Sequence, residues 1–343
     1  MPINYDRTHC SVSEETRKLG GHQTQCEHWL HRLYQLEGFK RCFFERCPDA
    51  PGLHFVGGQI NNQRIKRILS FTGTGINRCD ALARAYSEAC EASTLGLNDT
   101  AHSAGLGAST DDDEAITHSV FELIEHDALA HWWYGNKKPQ PLRQSKIELK
   151  KTHLLVKRLR QGINTRGVNL LTLNSYLKLP VVAALSFDQQ GQCIALGSAA
   201  RASTYEAIEA SIREMCQMEY AHHLVRDKLQ RGGYSVLNHE DRLTIHRASV
   251  ITKKKLQSYI DKSDRSDKSC ACQGPASRLR LMQYLNSYGV YIDCTKLAEY
   301  PGEIKVYRSR SRQLRQFVPV PETQRPNTMK TRPPFYAFER LLP

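Results

Sequence analysis

Residues 111–126 read DDDEAITHSVFELIEH, and the same pattern occurs twice more without gaps, as NRCDALARAYSEACEA at 77–92 and STYEAIEASIREMCQM at 203–218. Each copy begins with Asn, Asp or Ser, residues that cap helices well, and carries an acid three residues later. Small and apolar residues then recur at the spacing of one helix face. The repeat therefore predicts three similar helices that pack closely against their surroundings.

The end of each copy carries the chemically informative residues. Glu88 and Glu91 lie three residues apart and share one helix face, and Glu122 and Glu125 repeat this spacing at the same register. One such pair alone is typical of a solvated helix face. Two pairs in register among apolar neighbours instead indicate a counter-charge, and Mg²⁺ prefers carboxylate and phosphate oxygens. We predict that the four glutamates bind Mg²⁺ and that Gln217, their counterpart in the third copy, contributes hydrogen bonds.

Glycine-rich segments precede the three predicted helices, at 72–75, 103–107 and 197–198. We interpret them as turns that let the backbone approach a phosphate near a helix N-terminus, the alternative being tight turns without a ligand. A Walker A loop is excluded, because no Gly-Lys-Ser/Thr follows any of them.

The remaining pattern favours one integrated domain of α/β (α+β) class. Helical spacing predicts a helix over 27–36, and the third repeat helix is expected to span 204–222. Apolar runs predict strands at 181–187, 288–295 and 305–308. A polar loop is expected over 263–274, and six prolines follow residue 318. We divide the chain into an N-terminal helix-and-strand segment, 1–65, and a catalytic domain with a proline-bearing tail, 66–343.

Composition narrows the class of protein. The chain has 343 residues, of which 40% are hydrophobic and 24% charged, as in globular proteins. No run approaches the roughly 18 apolar residues of a membrane helix, and the polar start lacks a signal peptide's apolar stretch. We therefore expect a cytoplasmic protein that does not span a membrane.

The 11 cysteines are odd in number and scattered, which favours a reduced compartment over a disulfide framework. Most are expected to be small buried apolar residues. The clusters at Cys26, His28 and His31 and at Cys270 and Cys272 lack the paired spacing of structural zinc sites, so zinc is not expected there.

The formal net charge of +13 suggests an anionic partner, such as a nucleotide or an acidic peptide, although a solvated basic surface is an equal alternative. Residues 305–315 alone hold one Lys and four Arg without an acid. No nucleic-acid-binding motif is present in the sequence, so we expect no nucleic acid partner.

Several blocks in the same order resemble the YcaO family, whose members carry helices ending in E-x-x-E and an S-N-G segment between them. The likeness extends over about residues 66–320. The matching blocks are AYSEACEAS, SAGLGAS, EAITHSVFELIEHDA, GSAARASTYEAIEASIREMCQ and LPVVAALSFD.

The resemblance implies a YcaO-like ATP-binding fold in which mixed sheets are packed by the three repeated helices. It implies that the four glutamates hold Mg²⁺ around the phosphates of ATP, with Ser103 and Gln217 near the nucleotide. Family members phosphorylate a backbone amide oxygen, after which a Cys, Ser or Thr side chain attacks the amide carbon. The resemblance identifies no general acid or base in this chain.

Three positions depart from the family pattern. Ala104 replaces the Asn of S-N-G, and Ala92 and His126 replace the Arg that follows each E-x-x-E. The two missing arginines reduce the positive charge available to phosphates. The arginines that we consider as substitutes are Arg201, Arg213 and Arg308.

We favour a cyclodehydratase that forms thiazolines or oxazolines in a ribosomal precursor peptide. The expected partners are that peptide, an E1-like leader-binding protein and a flavin-dependent azoline dehydrogenase. The alternatives are a thioamide- or amidine-forming YcaO enzyme, or a non-catalytic scaffold subunit of the modification complex.

Overall fold

The computed structural model describes residues 22–97, 104–133, 139–173, 177–250, 252–257, 274–275 and 277–315. No helix within these ranges has the length and apolar character needed to cross a membrane. A short 3-10 helix, Gly233–Val236, follows the longest α-helix. In chain order the other elements are α1 His22–Gln35, β1 Phe39–Cys47, β2 Ala50–Asn62, β3 Arg67–Gly75, α2 Arg78–Thr94, β4 Leu106–Ser109, α3 Asp112–Trp133, β5 Gln140–Pro141, α4 Lys146–Arg160, β6 Gly167–Thr172, β7 Val181–Phe187, β8 Ala195–Ala200, α5 Thr204–Gly232, α6 His239–Val250, α7 Lys253–Gln257, α8 Arg278–Ser287, β9 Asp293–Tyr300 and β10 Ile304–Arg310.

The strands form three small sheets with the orders β1-β2-β3, β4-β10-β9 and β5-β6-β7-β8. The α/β class is confirmed, but every pairing in the described residues is antiparallel, so the expectation of mixed sheets is wrong. A helical crossover produces parallel neighbours only when both strands join one sheet. Here β3-α2-β4 and β4-α3-β5 each connect two different sheets.

The repeat helices begin as predicted. Asn77 accepts a hydrogen bond from the backbone N–H three residues later at 2.8 Å, and Asp111 does the same at 2.8 Å. Ser203 and Glu206 form a complete capping box. The third helix, α5, continues to Gly232, ten residues beyond its expected end.

The glycine-rich segments 72–75 and 197–198 lie in strands, not in the turns that we expected. In the third segment, residues 104–105 form a turn as predicted, with φ of +77° at Gly105, and Leu106 and Gly107 begin β4. A Cβ atom added to Gly73 would lie 2.2 Å from the carbonyl oxygen of Ala81, and one on Gly107 would lie 2.3 Å from that of Ala115. On Gly197 it would lie 2.2 Å from a backbone nitrogen of α5. Glycine is needed here because each strand lies directly against the helix that follows it.

The predicted strand 181–187 is confirmed as β7, and all its residues are buried. One face of this strand, including Leu185, packs with α3 and α8, whereas Val182 and Ala184 on the other face pack with α4 and α5. A third cluster joins α2 to the β1-β2-β3 sheet and to β4 and β10. Because β7 contributes to both of the first two clusters, its sheet separates the α3-α8 core from the α4-α5 core.

Of the remaining predictions, one strand is confirmed, one begins later than expected, and the others are not tested. The predicted strand 288–295 begins later, at Asp293, because α8 ends at Ser287 and residue 289 is a glycine with φ of +73° that turns the chain. The strand at 305–308 is confirmed within β10. The loop at 263–273 and the proline-bearing tail lie outside the described residues. The boundary at residue 65 stays a prediction, although β2 and β3 pair across it.

One pair of cysteines differs from the expectation of reduced thiols, whereas the other six described cysteines form no disulfide and three of them are buried as predicted. Cys26 of α1 and Cys79 of α2 form a disulfide, with their Cα atoms 4.7 Å apart. The two residues are 53 positions apart in the chain, so their proximity depends on the packing of α1 on α2.

A buried ion pair connects α4, α5 and β7. Arg160 contacts both carboxylate oxygens of Glu219, at 2.5 and 2.8 Å, and Arg166 approaches the same carboxylate to 3.2 Å. Ser186 of β7 donates a further hydrogen bond at 2.5 Å. The Glu219 side chain is fully buried, so its charge depends on these partners.

We expect Glu219→Gln to lower the free energy of unfolding by about 3–5 kcal/mol, because Arg160 then keeps a buried charge without a counter-ion. Denaturant unfolding measures the change. On the same helix, Asp227→Asn removes an exposed pair with Arg231 and should change stability by less than about 1 kcal/mol. Equal losses in the two variants would contradict this interpretation.

Candidate functional site

The site is built where three edge strands meet the repeat helices. β3, β4 and β8 each lie at one edge of a sheet, so their outward backbone N–H groups have no strand partner. In each copy, a glutamate sixteen residues later accepts the hydrogen bond of one such group. The three pairs are Thr72 with Glu88 at 3.0 Å, Leu106 with Glu122, and Ser198 with Glu214 at 2.8 Å.

The residue three positions further along each helix reaches the strand of the next copy. These contacts run from the first copy to the second, from the second to the third, and from the third back to the first. They are Glu91 with the backbone of Ala108, Glu125 with the backbone of Ala200 and the hydroxyl of Ser198 at 2.5 Å, and Gln217, which donates to the hydroxyl of Thr72. The three strand-helix units therefore close into a cycle, which we call the glutamate ring.

Five carboxylates of the glutamate ring lie within electrostatic range of one another. Burial, followed by repulsion from Glu88, raises the pKa of Glu91 to about 8. Burial and the charge of Glu125 raise the pKa of Glu214 to about 8, and burial raises that of Glu88 to about 7. Burial and two neighbouring carboxylates also raise the pKa of Glu122, and burial raises that of Glu125. Burial and mutual repulsion therefore disfavour the ionised forms of these carboxyls.

Basic side chains lie beside the ring. The charge of Arg201 lowers the pKa values of Glu122, Glu125 and Glu214, against the effect of burial. Burial and the charge of Arg201 lower the pKa of the His118 imidazole.

Further cations approach from the helices. Burial and the charge of Arg84 lower the pKa of Arg213. Arg84 and His118 lie four residues, about one helical turn, before Glu88 and Glu122. The arrangement thus places basic side chains one turn away from a ring of carboxylates.

Several residues predicted from the sequence meet in this ring. Glu88, Glu91, Glu122 and Glu125 converge, and Gln217 joins them through a hydrogen bond as expected. Ser103 lies outside the described residues. The ligand roles of these residues stay predictions.

Other residues were placed only by the structure. Glu214 was not among the predicted ligands, although its register in the repeat, equal to that of Glu88 and Glu122, was a signal that could have identified it. His126, in place of the family's Arg, lies 3.8 Å from Glu122. Arg308 lies on β10, and its Nε and Nη1 atoms have no hydrogen-bond partner within the described part of the chain.

The ring fits Mg²⁺ and a bound phosphate chain. Its donors are carboxylate oxygens, which a hard divalent cation prefers, and they include no sulfur ligand. Burial and mutual repulsion raise the pKa values of these carboxyls, and bound divalent cations would stabilise their ionised forms.

Comparisons with known proteins agree with this fit. A family profile described as YcaO cyclodehydratase, ATP- and Mg²⁺-binding, matches residues 97–274. No curated protein sequence matches the chain. Among solved structures, the YcaO from Methanopyrus kandleri bound with AMPPCP and Mg²⁺ is 14% identical, with a TM-score of 0.61, over 87% of this chain and 92% of that chain.

Two further structures share the fold. A heterocyclase in complex with substrate and cofactor is 14% identical, with a TM-score of 0.64, over 86% of this chain and 53% of that chain. This chain therefore corresponds to about half of the heterocyclase. The E. coli microcin synthetase McbBCD complex is 11% identical, with a TM-score of 0.53, over 79% of this chain and 86% of that chain.

The raised pKa values predict how stability depends on pH. Between the usual glutamate pKa of 4.5 and about 8, the folded protein keeps protons that the unfolded chain releases. Without Mg²⁺, these carboxyls therefore make the free energy of unfolding fall as the pH rises through this range. Denaturant unfolding across the range measures the slope. Mg²⁺ should flatten it, because the cation replaces the protons.

Glu91→Gln isolates this effect, since glutamine accepts the same backbone hydrogen bond but carries no charge. The variant should be more stable than the wild type at the alkaline end and should lose stability less steeply with pH. A wild-type slope that neither the substitution nor Mg²⁺ changes would rule out the electrostatic interpretation.

Proposed function

The chain belongs to the YcaO cyclodehydratase family, and we propose that it is an ATP-dependent enzyme that converts Cys, Ser or Thr of a ribosomal precursor peptide to thiazolines or oxazolines. The family is ATP- and Mg²⁺-binding. The observation that carries the proposal is the convergence of five carboxylates on three edge strands. Such a ring suits the binding of a metal-nucleotide complex.

In the proposed reaction, a backbone amide oxygen takes the γ-phosphoryl group of ATP. The sulfur or oxygen of the adjacent side chain then attacks the amide carbon, and phosphate leaves with the former amide oxygen. The peptide loses one water, and ATP becomes ADP and phosphate. Bound Mg²⁺ supplies charge neutralisation for the phosphates, which is a main requirement of phosphoryl transfer.

We assign the binding of Mg²⁺ to Glu88, Glu91, Glu122 and Glu125, with Glu214 as a fifth carboxylate of the same ring. Their backbone hydrogen bonds hold the side chains in place before any ligand binds, so little reorganisation is needed. The assignment of Glu214 is supported by its hydrogen bond to β8, which matches that of Glu88 to β3.

Polar residues around the ring are assigned to the nucleotide. The Gln217 amide donates a hydrogen bond to the hydroxyl of Thr72, and that hydroxyl donates to the Glu88 carboxylate at 3.1 Å. Gln217 therefore helps to hold Thr72 and Glu88 in position. We assign Ser103 to the nucleotide on the family resemblance. Arg201 lies beside the ring, and Arg213 lies near Arg201 and pairs with Glu209 at 3.6 Å. We assign both to phosphate neutralisation, in place of the family arginines at positions 92 and 126.

We favour azolines over thioamides because of the nucleophile that each product needs. A thioamide requires an external sulfur source, whereas an azoline uses the substrate's own side chain, for which positioning alone can lower the barrier by about 7 kcal/mol or more. Among the described cysteines, Cys26 and Cys79 are paired, and burial raises the thiol pKa of Cys90 and Cys216. These four do not suit a sulfur relay, which depends on reactive thiolates.

The proposed partners are the precursor peptide, an E1-like protein that binds its leader and a flavin-dependent azoline dehydrogenase. Assembly is supported by the likeness to the E. coli microcin synthetase McbBCD complex, which is a multi-subunit structure by name. We propose a cytoplasmic location for the complex. The alternative of a non-catalytic scaffold is disfavoured by the intact pattern of glutamates.

Glu125→Gln should abolish peptide modification and lower the rate of ATP hydrolysis by at least about 10-fold, because one ligand of a multi-metal site is lost. Both are measured with the partner protein and precursor present, by mass spectrometry and by phosphate release. Glu299→Gln, at an exposed position of β9, is the matched control and should keep full activity. Full activity in Glu125→Gln with unchanged circular dichroism would remove the metal assignment.

Co-expression with the precursor tests the product. We expect successive losses of one water at Cys, Ser or Thr, and little modification when the E1-like partner is left out. A mass gain that corresponds to sulfur in place of oxygen would indicate a thioamide. No ATP hydrolysis with every partner present would indicate a scaffold.

A further inference from the structure

A second group of potential ligands lies away from the glutamate ring, where the turn between β1 and β2 meets α5. Cys47 ends β1, Asp49 lies in the two-residue turn that follows, and His223 projects from α5. The Cys47 sulfur, a carboxylate oxygen of Asp49 and a ring nitrogen of His223 lie within 4.8 Å of one another. We propose that these three side chains form a Zn²⁺ site.

The donor set selects the metal. Thiolate sulfur, imidazole nitrogen and carboxylate oxygen are the three ligand types that Zn²⁺ takes in proteins, and three protein ligands leave a fourth position for water. Mg²⁺ prefers oxygen ligands alone. The site is therefore chemically distinct from the glutamate ring and does not compete with it for the same ion.

The carboxylate is already held in position. Thr165 donates a hydrogen bond to one oxygen of Asp49 at 2.5 Å, and Arg160 donates to its backbone carbonyl at 2.8 Å. The other carboxylate oxygen lies 2.7 Å from the His223 Nε2 atom. Supporting hydrogen bonds of this kind orient the ligands in known zinc sites. A Zn²⁺ ion would take the place of the proton shared by the two side chains.

The protonation states favour metal binding at Asp49. Burial alone raises the pKa of this carboxyl, but the hydrogen bonds from His223 and Thr165 outweigh burial and lower it to about 2. The guanidinium groups of Arg160 and Arg166 both pair with Glu219, which neutralises one of their two positive charges. The position thus offers an ionised carboxylate as a ligand.

The thiol of Cys47, unlike the carboxyl of Asp49, has a raised pKa. Burial and the charges of Glu219 and Asp49 raise the pKa of its thiol to about 12, so the sulfur stays protonated until a metal arrives. On binding, the S–H bond is replaced by an S–Zn bond and the proton leaves to water. Access from solvent is through His223, whose side chain is 28% exposed.

The ion would tie the β1-β2 turn to α5. That helix also carries Glu214 and Gln217 of the glutamate ring, about two turns before His223. We assign the zinc a structural role, in which it fixes the position of α5 relative to the first sheet. Sequence spacing could not identify the site, because His223 is 174 residues from Asp49.

Cobalt titration of the metal-free, full-length protein tests the proposal without ATP, so its outcome is independent of the proposed enzymatic function. We expect one equivalent of Co²⁺ to produce a thiolate-to-cobalt charge-transfer band that Zn²⁺ abolishes and excess Mg²⁺ does not. Cys47→Ser should remove the band, and His223→Gln should weaken Co²⁺ binding by at least about 10-fold. Thr165→Val should weaken it by about 10- to 100-fold, since the hydrogen bond that orients Asp49 is lost.

Two matched controls should keep the band unchanged: Cys42→Ser on the same strand and His153→Gln at an exposed position of α4. Circular dichroism shows whether each variant is folded. If Cys47→Ser does not fold, His223→Gln decides the question. A wild-type protein without the charge-transfer band, or a band that survives both ligand substitutions, would overturn the proposal.

Discussion

The hydrogen bonds from three free strand edges to the glutamates of the repeat helices are the interactions on which the rest of the structure depends. Burying the N–H groups of an edge strand without acceptors destabilises the folded protein, and an exposed edge strand can pair with another chain. Here carboxylates of α2, α3 and α5 accept hydrogen bonds from backbone N–H groups of β3, β4 and β8. The same contacts position the helices, protect the edges and collect the carboxylates. Fold and candidate site therefore cannot be varied independently.

This arrangement has an electrostatic cost. Carboxylates held by backbone N–H groups gain some stabilisation, but five of them in one ring also repel one another, and burial strengthens the repulsion. Raised pKa values such as that of Glu91 are the result. The protein thus keeps a region that is unfavourable by itself and becomes favourable when cations and phosphates bind. Such regions are typical of functional sites.

The helix α5 connects the chemical parts of the molecule. Its first half carries Glu214 and Gln217 of the ring, Glu219 pairs with Arg160 in the core, and His223 reaches the β1-β2 turn. Each of these contacts involves a different part of the chain. We therefore expect changes near the turn to influence the ring through the position of this helix.

The sequence by itself determined what depends on local spacing: the three helix starts, the buried strand β7 and the two pairs of glutamates at one register. The family likeness rested on the same short blocks. Tertiary structure decided what depends on distant contacts. Gly73, Gly107 and Gly197 lie in strands because helices pack directly against them, and the helices α2 and α3 do not create parallel neighbours because each connects two different sheets. The return of Gln217 to Thr72 and the meeting of Asp49 with His223 join residues 145 and 174 positions apart. No local period encodes such separations, because only the packing of whole elements brings the side chains together.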